Sequence, residues 1–124
     1  MIATDTSSLV AYLSGEAGAD VSRIEAAMSA GELRLPPPVL SELLSKPDIS
    51  QIEALLAGIP LMVLADGFWN RVGLTRRVLR LRGLKAALAD SQIAQCCIDA
   101  DVPLIARDRD YRHFERWCGL KLES

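Results

Sequence analysis

Short apolar runs alternate with longer stretches of helical period along this chain. Met1 to Thr4 is a brief apolar run, and Asp5, Thr6 and Ser7 offer cap chemistry before Leu9, Val10 and Leu13, whose i, i+1, i+4 spacing suits one helix face. A strand feeding a helix is predicted. Val21, Ile24 and Met28 mark a second helix that Gly31 can close. Glu32 to Leu35 is the next strand candidate. Pro36, Pro37 and Pro38 then bar helix until Val39, Leu40, Leu43 and Leu44 resume the period, with Glu42 in the first turns. Lys46-Pro47-Asp48 breaks that helix, and Ile49, Ile52, Leu55 and Leu56 begin another.

Gly58 and Pro60 punctuate the chain before Leu61 to Leu64, a further short strand candidate. Phe68, Val72, Val78 and Leu79 suggest a helix with Gly83 near its end. Leu88 to Ala100 is a strongly apolar helix, with Asp90 in its first turn and Ile93, Ala94, Cys97 and Ile98 facing inward. Val102 to Ala106 is a buried strand candidate, and Leu120 to Leu122 a last edge strand. The alternation predicts an α/β fold, a three-layer α/β/α sandwich around a mainly parallel sheet. In such folds ligands gather beyond the carboxyl ends of the strands, where the chain order switches.

Length and composition bound this picture without changing it. A chain of 124 residues suits one domain, 1–124, and its 50% hydrophobic content with no twenty-residue apolar stretch argues against a membrane span. An acid at the fifth position and no basic n-region do not suit a signal peptide, so a cytoplasmic location is the expectation. Three cysteines, two of them adjacent within a helical pattern, suit neither a disulfide framework nor a zinc site. Charge matters through its distribution. The net value is −2, yet Gly67 to Ala89 holds no acid and carries Arg71, Arg76, Arg77, Arg80, Arg82 and Lys85. A solvated helix face explains that block unless the acids elsewhere form a metal site.

The acids supply the candidate chemistry. Asp5 follows the first strand, Glu42 and Asp90 lie near helix starts, and Asp108 with Asp110 follows the strand Val102 to Ala106. Each has a purely structural explanation: Asp5 and Asp90 as caps, Glu42 as a dipole partner, Asp108 and Asp110 as turn residues paired to neighbouring arginines. A parallel sheet, however, brings all of them toward one edge. Carboxylates converging there raise one another's pKa, and a divalent cation is the natural remedy. Oxygen-only donors without histidine or thiolate select Mg²⁺ or Mn²⁺ over zinc. His113, the one histidine, cannot build a zinc site. There is no G-x-x-x-x-G-K-[ST] or G-x-G-x-x-G phosphate loop and no G-x-S-x-G elbow.

In order and spacing, the segments MIATDTSSLVAYL, LPPPVLSELLS, ALADSQIAQCC and LIARDRDYRHF resemble the PIN-domain ribonucleases, most closely the VapC-type toxins of toxin–antitoxin pairs. The resemblance spans nearly the whole chain. It implies a PIN fold and a Mg²⁺- or Mn²⁺-dependent endoribonuclease with Asp5, Glu42, Asp90 and Asp108 as the acidic quartet and Asp110 as an additional metal-binding acid. Thr6 and Ser7 match small polar residues that hydrogen-bond the first acid or a metal-bound water. Arg107 and Arg109, with the arginine-rich block, become candidates for RNA phosphate. Ala106 departs from the pattern, standing where the family often has threonine; Tyr111 replaces a frequent phenylalanine. The resemblance also implies a homodimer and a small antitoxin covering the acidic groove, with the apolar residues from Ile49 to Leu56 as a possible binding surface or simply as core. The rival readings are a housekeeping PIN nuclease for RNA maturation, a PIN-like module that binds RNA or protein with little cutting, and an α/β phosphatase. Ser7 stands where that phosphatase would place its second aspartate.

Overall fold

A computed structural model of the chain describes residues 1–48 and 52–123. The elements run in the order β1 (Ile2–Thr4), α1 (Thr6–Leu13), α2 (Ala19–Ser29), β2 (Leu33–Arg34), α3 (Pro37–Leu44), α4 (Ile52–Ala57), α5 (Phe68–Leu81), α6 (Leu88–Ala100), β3 (Leu104–Ile105), α7 (Tyr111–Cys118) and β4 (Leu122–Glu123). The four strands form one parallel sheet in the order β2-β1-β3-β4. Helices pack around it, α2 against β2 and β3, and α7 against β4. The expected α/β sandwich with a parallel sheet is therefore the observed architecture.

The chain runs from β1 outward to β2, then returns to the other side of β1 to place β3, so the order switches at β1. Ala3 stands opposite Leu104, and Thr4 opposite Ile105. The Asp5 amide donates to the Ile105 carbonyl at 3.0 Å, which pins the residue after β1 against the end of β3. Ala3, Thr4, Leu104 and Ile105 are wholly buried, as central parallel strands covered on both faces should be. Burying side chains such as Leu9, Ile24, Leu35, Leu43, Leu79, Ile93 and Phe114 contributes about 1.5–3 kcal/mol each. These residues belong to one continuous core, beside which Phe68, Val72 and Cys96 form a small satellite.

The helix boundaries follow from local chemistry. Contrary to the expectation from the sequence, the prolines do not bar helix until Val39: Pro37 and Pro38 themselves open α3, because a missing N–H costs nothing in the first turn, and extended Pro36 stands at the N-cap position. Gly31 and Gly83 take left-handed backbone just past α2 and α5 and let the chain turn sharply back. Three further expectations need correction. Leu61 to Leu64 is not a strand: Leu61 makes a single parallel bridge to Leu35, and Val63 is almost fully exposed, so no outer neighbour extends the pairing. The strand Val102 to Ala106 shortens to Leu104–Ile105, although the Pro103 carbonyl still accepts from Ala3. The edge strand expected at Leu120 to Leu122 lies at Leu122–Glu123, and the chain from Tyr111, to which the apolar pattern assigns no element, is the helix α7. Its spaced aromatics Tyr111 and Phe114 are both buried, packing tilted against each other at 6.0 Å.

Candidate active site

Asp5 sits at the carboxyl end of β1 and doubles as the N-cap of α1. Its Oδ1 accepts from the Ser8 amide at 2.9 Å, and its Oδ2 accepts from the Ser7 hydroxyl at 2.9 Å. The side chain is only 2% exposed. Burial pushes its carboxyl up to about 6 against the pull of those hydrogen bonds, and Asp108 adds to the rise. The capping explanation of Asp5 is therefore correct and incomplete, since a cap alone needs no buried charge.

Asp90 lies in the first turn of α6, yet it is no cap: Ala87 holds that position. Its Oδ1 accepts instead from the Tyr111 hydroxyl at 3.2 Å. Burial raises the Asp90 carboxyl, the Tyr111 bond lowers it, and Asp108, Asp110 and Glu42 raise it further. Burial and the neighbouring acids push the Tyr111 phenol far up, so it stays protonated as a donor. Glu42, in the second turn of α3, receives the Thr6 hydroxyl on Oε1 at 2.5 Å. Thr6 thus orients a different acid from the one beside it, while Ser7 serves Asp5.

Asp108 and Asp110 follow β3. The Asp108 Oδ1 accepts from the Asp110 amide at 2.9 Å, and Asp110 pairs with Lys85 at 3.2 Å. Neither pairs with a neighbouring arginine among the described residues. Arg107 instead donates through Nε to the Asp20 Oδ2 at 2.7 Å and reaches Glu16 at 3.5 Å. Arg109 is exposed.

These residues converge on one cleft of about 500 Å³, lined by Asp5, Thr6, Ser7, Glu42, Lys46, Asp90, Arg107, Asp108 and Tyr111. Asp90, Asp108 and Asp110 each offer an oxygen within 4.8 Å of the others. Asp5 and Glu42 stand around that trio, coupled to it by charge. The donors are all oxygens, and neither the buried Asp5 nor the half-buried Asp90 forms an ion pair among the described residues. That set fits a hard divalent ion. Reading the sequence missed the Tyr111 contact and Lys46; the only local signal for Tyr111 was its spacing to Phe114, which marks a helix face. Of the proposed antitoxin surface, Ile52 and Leu56 are spent in the core and Ile49 lies outside the described residues.

A model of the PIN domain family matches residues 2–116. The chain belongs to the PIN domain family. PIN domains are, as a family, nucleases. No curated protein matches the chain significantly. Among solved structures, this PIN domain superposes with a TM-score of 0.76 on a chain from VapBC2 of Rickettsia felis bound to a DNA fragment from their promoter, at 19% identity over 99% of this chain and 98% of that one. A chain from DNA-bound VapBC of Salmonella typhimurium gives 0.73 at 16% identity, covering 99% and 98%. A chain from FitAcB of Neisseria gonorrhoeae gives 0.72 at 13%, covering 100% and 97%. These likenesses concern the fold of the PIN domain across nearly its full length. No helix among the described residues is long and apolar enough to cross a membrane.

Proposed function

We propose that the chain is a metal-dependent endoribonuclease that hydrolyses phosphodiester bonds in RNA, with Asp5, Glu42, Asp90 and Asp108 as its catalytic acids. The observation that carries this is the convergence of Asp5, Glu42, Asp90, Asp108 and Asp110 around one cleft, with both Asp5 and Asp90 raised by burial. Such a group is costly as bare charge and useful as a cation site. Asp5, Asp90 and Asp108 would hold Mg²⁺ or Mn²⁺, with Glu42 and Asp110 completing the set. Bound there, the ion supplies a water of lowered pKa and offsets charge growing on the phosphate.

The chain's own groups do the positioning. Ser7 and the Ser8 amide fix both oxygens of Asp5, and the Tyr111 hydroxyl fixes Asp90. Thr6 holds Oε1 of Glu42, the acid we assign to accept the proton of the attacking water. Lys46 on the cleft wall and the exposed Arg109 draw phosphate toward an otherwise acidic mouth. Arg107 reaches the same rim while tied to Asp20.

The full-length likeness to chains from VapBC and FitAcB complexes, together with the motif resemblance, supports a more specific assignment. The chain acts as the toxin of a toxin–antitoxin pair, a cytoplasmic homodimer silenced by a small antitoxin. Purified protein incubated with a mixed RNA pool and Mg²⁺ or Mn²⁺ tests the chemistry: cleavage is expected, and EDTA, Asp5→Asn and Asp90→Asn should each abolish it. Cleavage indifferent to all three would overturn the site. Growth arrest on expression, relieved by a small protein encoded beside this one, tests the toxin assignment.

A further inference from the structure

The acidic cleft does not end at Glu42. Glu42 also lines a second hollow of about 310 Å³, walled by Pro37, Pro38, Phe68, Trp69 and Gln92. Trp69 and Gln92 in turn line a third, of about 700 Å³, that runs between α5 and α6 past Arg76, Arg77 and Arg80. The hollows lie side by side, the first two sharing Glu42 and the last two sharing Trp69 and Gln92, and in that order they form a trench. Its charge changes along the way, from carboxylates at one end, through a neutral apolar stretch, to three guanidinium groups at the other.

The side chains along the trench are placed for contact. Trp69 is 62% exposed, an unusual state for so large an apolar surface, and its ring is braced edge-on by buried Phe68 at 4.9 Å. Arg76 spends its Nε on the Ala86 carbonyl at 2.6 Å. Arg77 and Arg80 have no carboxylate partner among the described residues and lie on exposed turns of α5. Elsewhere on α5 the arginine at position 71 is bound to Asp99, so these free cations are not a general property of the helix. Trp69 to Arg80 spans about 16 Å of helix, room for a few nucleotides.

We propose that this trench is the track for single-stranded RNA leading away from the scissile phosphate, with Trp69 stacking on a base and Arg77 and Arg80 contacting backbone phosphates. An exposed aromatic followed by unpaired cations is the chemistry that single strands require. A second copy of this chain fits the same face poorly, because a twofold contact would set arginine against arginine. The track rests on the nuclease assignment, since it takes its direction from the carboxylate end.

The test measures binding apart from cleavage. Fluorescence anisotropy of a labelled single-stranded RNA of about twelve nucleotides is followed in EDTA with the full chain, Trp69→Ala, Trp69→Phe and the double variant Arg77→Glu/Arg80→Glu. Thermal melts check that each variant folds. Trp69→Ala should weaken binding about tenfold while Trp69→Phe restores most of it. The double variant should bind more weakly still and lower the slope of log affinity against log salt by about 1.4. Folded variants that bind as tightly as wild type overturn the track, as does a wild type that binds no RNA. Variants that shift the sedimentation of the protein to monomer without changing RNA affinity assign the face to a second copy and overturn it too. Metal-dependent cleavage is scored separately. If cleavage persists where these variants bind normally, the track alone falls; if binding follows the trench and no cleavage occurs, the nuclease assignment alone falls.

Discussion

Asp90 and Asp99 stand nine residues apart on the same helix, α6, and live in opposite worlds. Asp99 accepts Arg71 Nε at 2.9 Å on Oδ1 and Arg71 Nη2 at 2.7 Å on Oδ2, and Oδ1 also takes the Gln95 amide at 2.8 Å. Gln95 closes the network by accepting from the Thr75 hydroxyl at 2.6 Å. Arg71 beside it holds the Asp99 carboxyl below the usual range. Asp90 has a phenol for a partner and three acids for neighbours, and its carboxyl is raised. An identical side chain is thus a strut between α5 and α6 at one end of the helix and, at the other, an acid among acids with no ion pair among the described residues. Proximity of a guanidinium, and not burial alone, decides which.

The contrast predicts effects of different kinds at the two ends. The largest is on chemistry: Asp5→Asn or Asp90→Asn should cut RNA cleavage about 1000-fold, several kcal/mol of barrier. Urea melts of Asp5→Asn in EDTA should meanwhile show no loss of stability, because asparagine caps α1 as well as aspartate does and removes a buried charge. A destabilised Asp5→Asn would place Asp5 with Asp99 as a structural acid.

Next comes Tyr111→Phe, which deletes the hydroxyl that orients Asp90 and leaves the buried ring in place. Metal affinity, read by titration calorimetry with Mn²⁺, should fall about tenfold or more. Unchanged affinity would mean that packing alone orients Asp90. At the other end of α6, Arg71→Ala should lower the urea midpoint with RNA cleavage retained, as it strands a largely covered carboxylate but touches nothing in the cleft. A loss of cleavage larger than the loss of folded protein would erase the distinction between the two regions.

The smallest effect sharpens the rule at a third acid. Arg107 holds the Asp20 carboxyl down to about 2 from an ordinary 3.8. A carboxyl depressed in the folded state adds stability above its unfolded pKa, and that stability drains away as pH falls from about 4 toward 2. Urea midpoints measured across this window should drop less steeply in Arg107→Gln than in wild type. Parallel slopes would show that the pair contributes nothing, as many exposed ion pairs do.

The legibility of the molecule follows the range of the forces involved. Periodic apolar residues such as Leu9, Leu43, Leu79 and Ile93 announced their helices, and glycines 31 and 83 their ends, because these signals act within a few residues. The helix α7 escaped because its eight residues carry only spaced aromatics among charges. Leu61 to Leu64 has strand composition but finds one bridge, since a strand exists only through its neighbours.

The sequence by itself determined the α/β alternation, the acids at strand and helix junctions, and the block without acids from Gly67 to Ala89. Only the tertiary structure decided which charges stay free. It gave Arg71 to Asp99, Arg107 to Asp20 and Lys85 to Asp110, and it left Asp5 and Asp90 without a cation and Arg77 and Arg80 without a carboxylate among the described residues. Pairing acts across segments 28 and 87 residues apart in the first two cases, through distances of a few ångströms that exist only once the sheet has set its order.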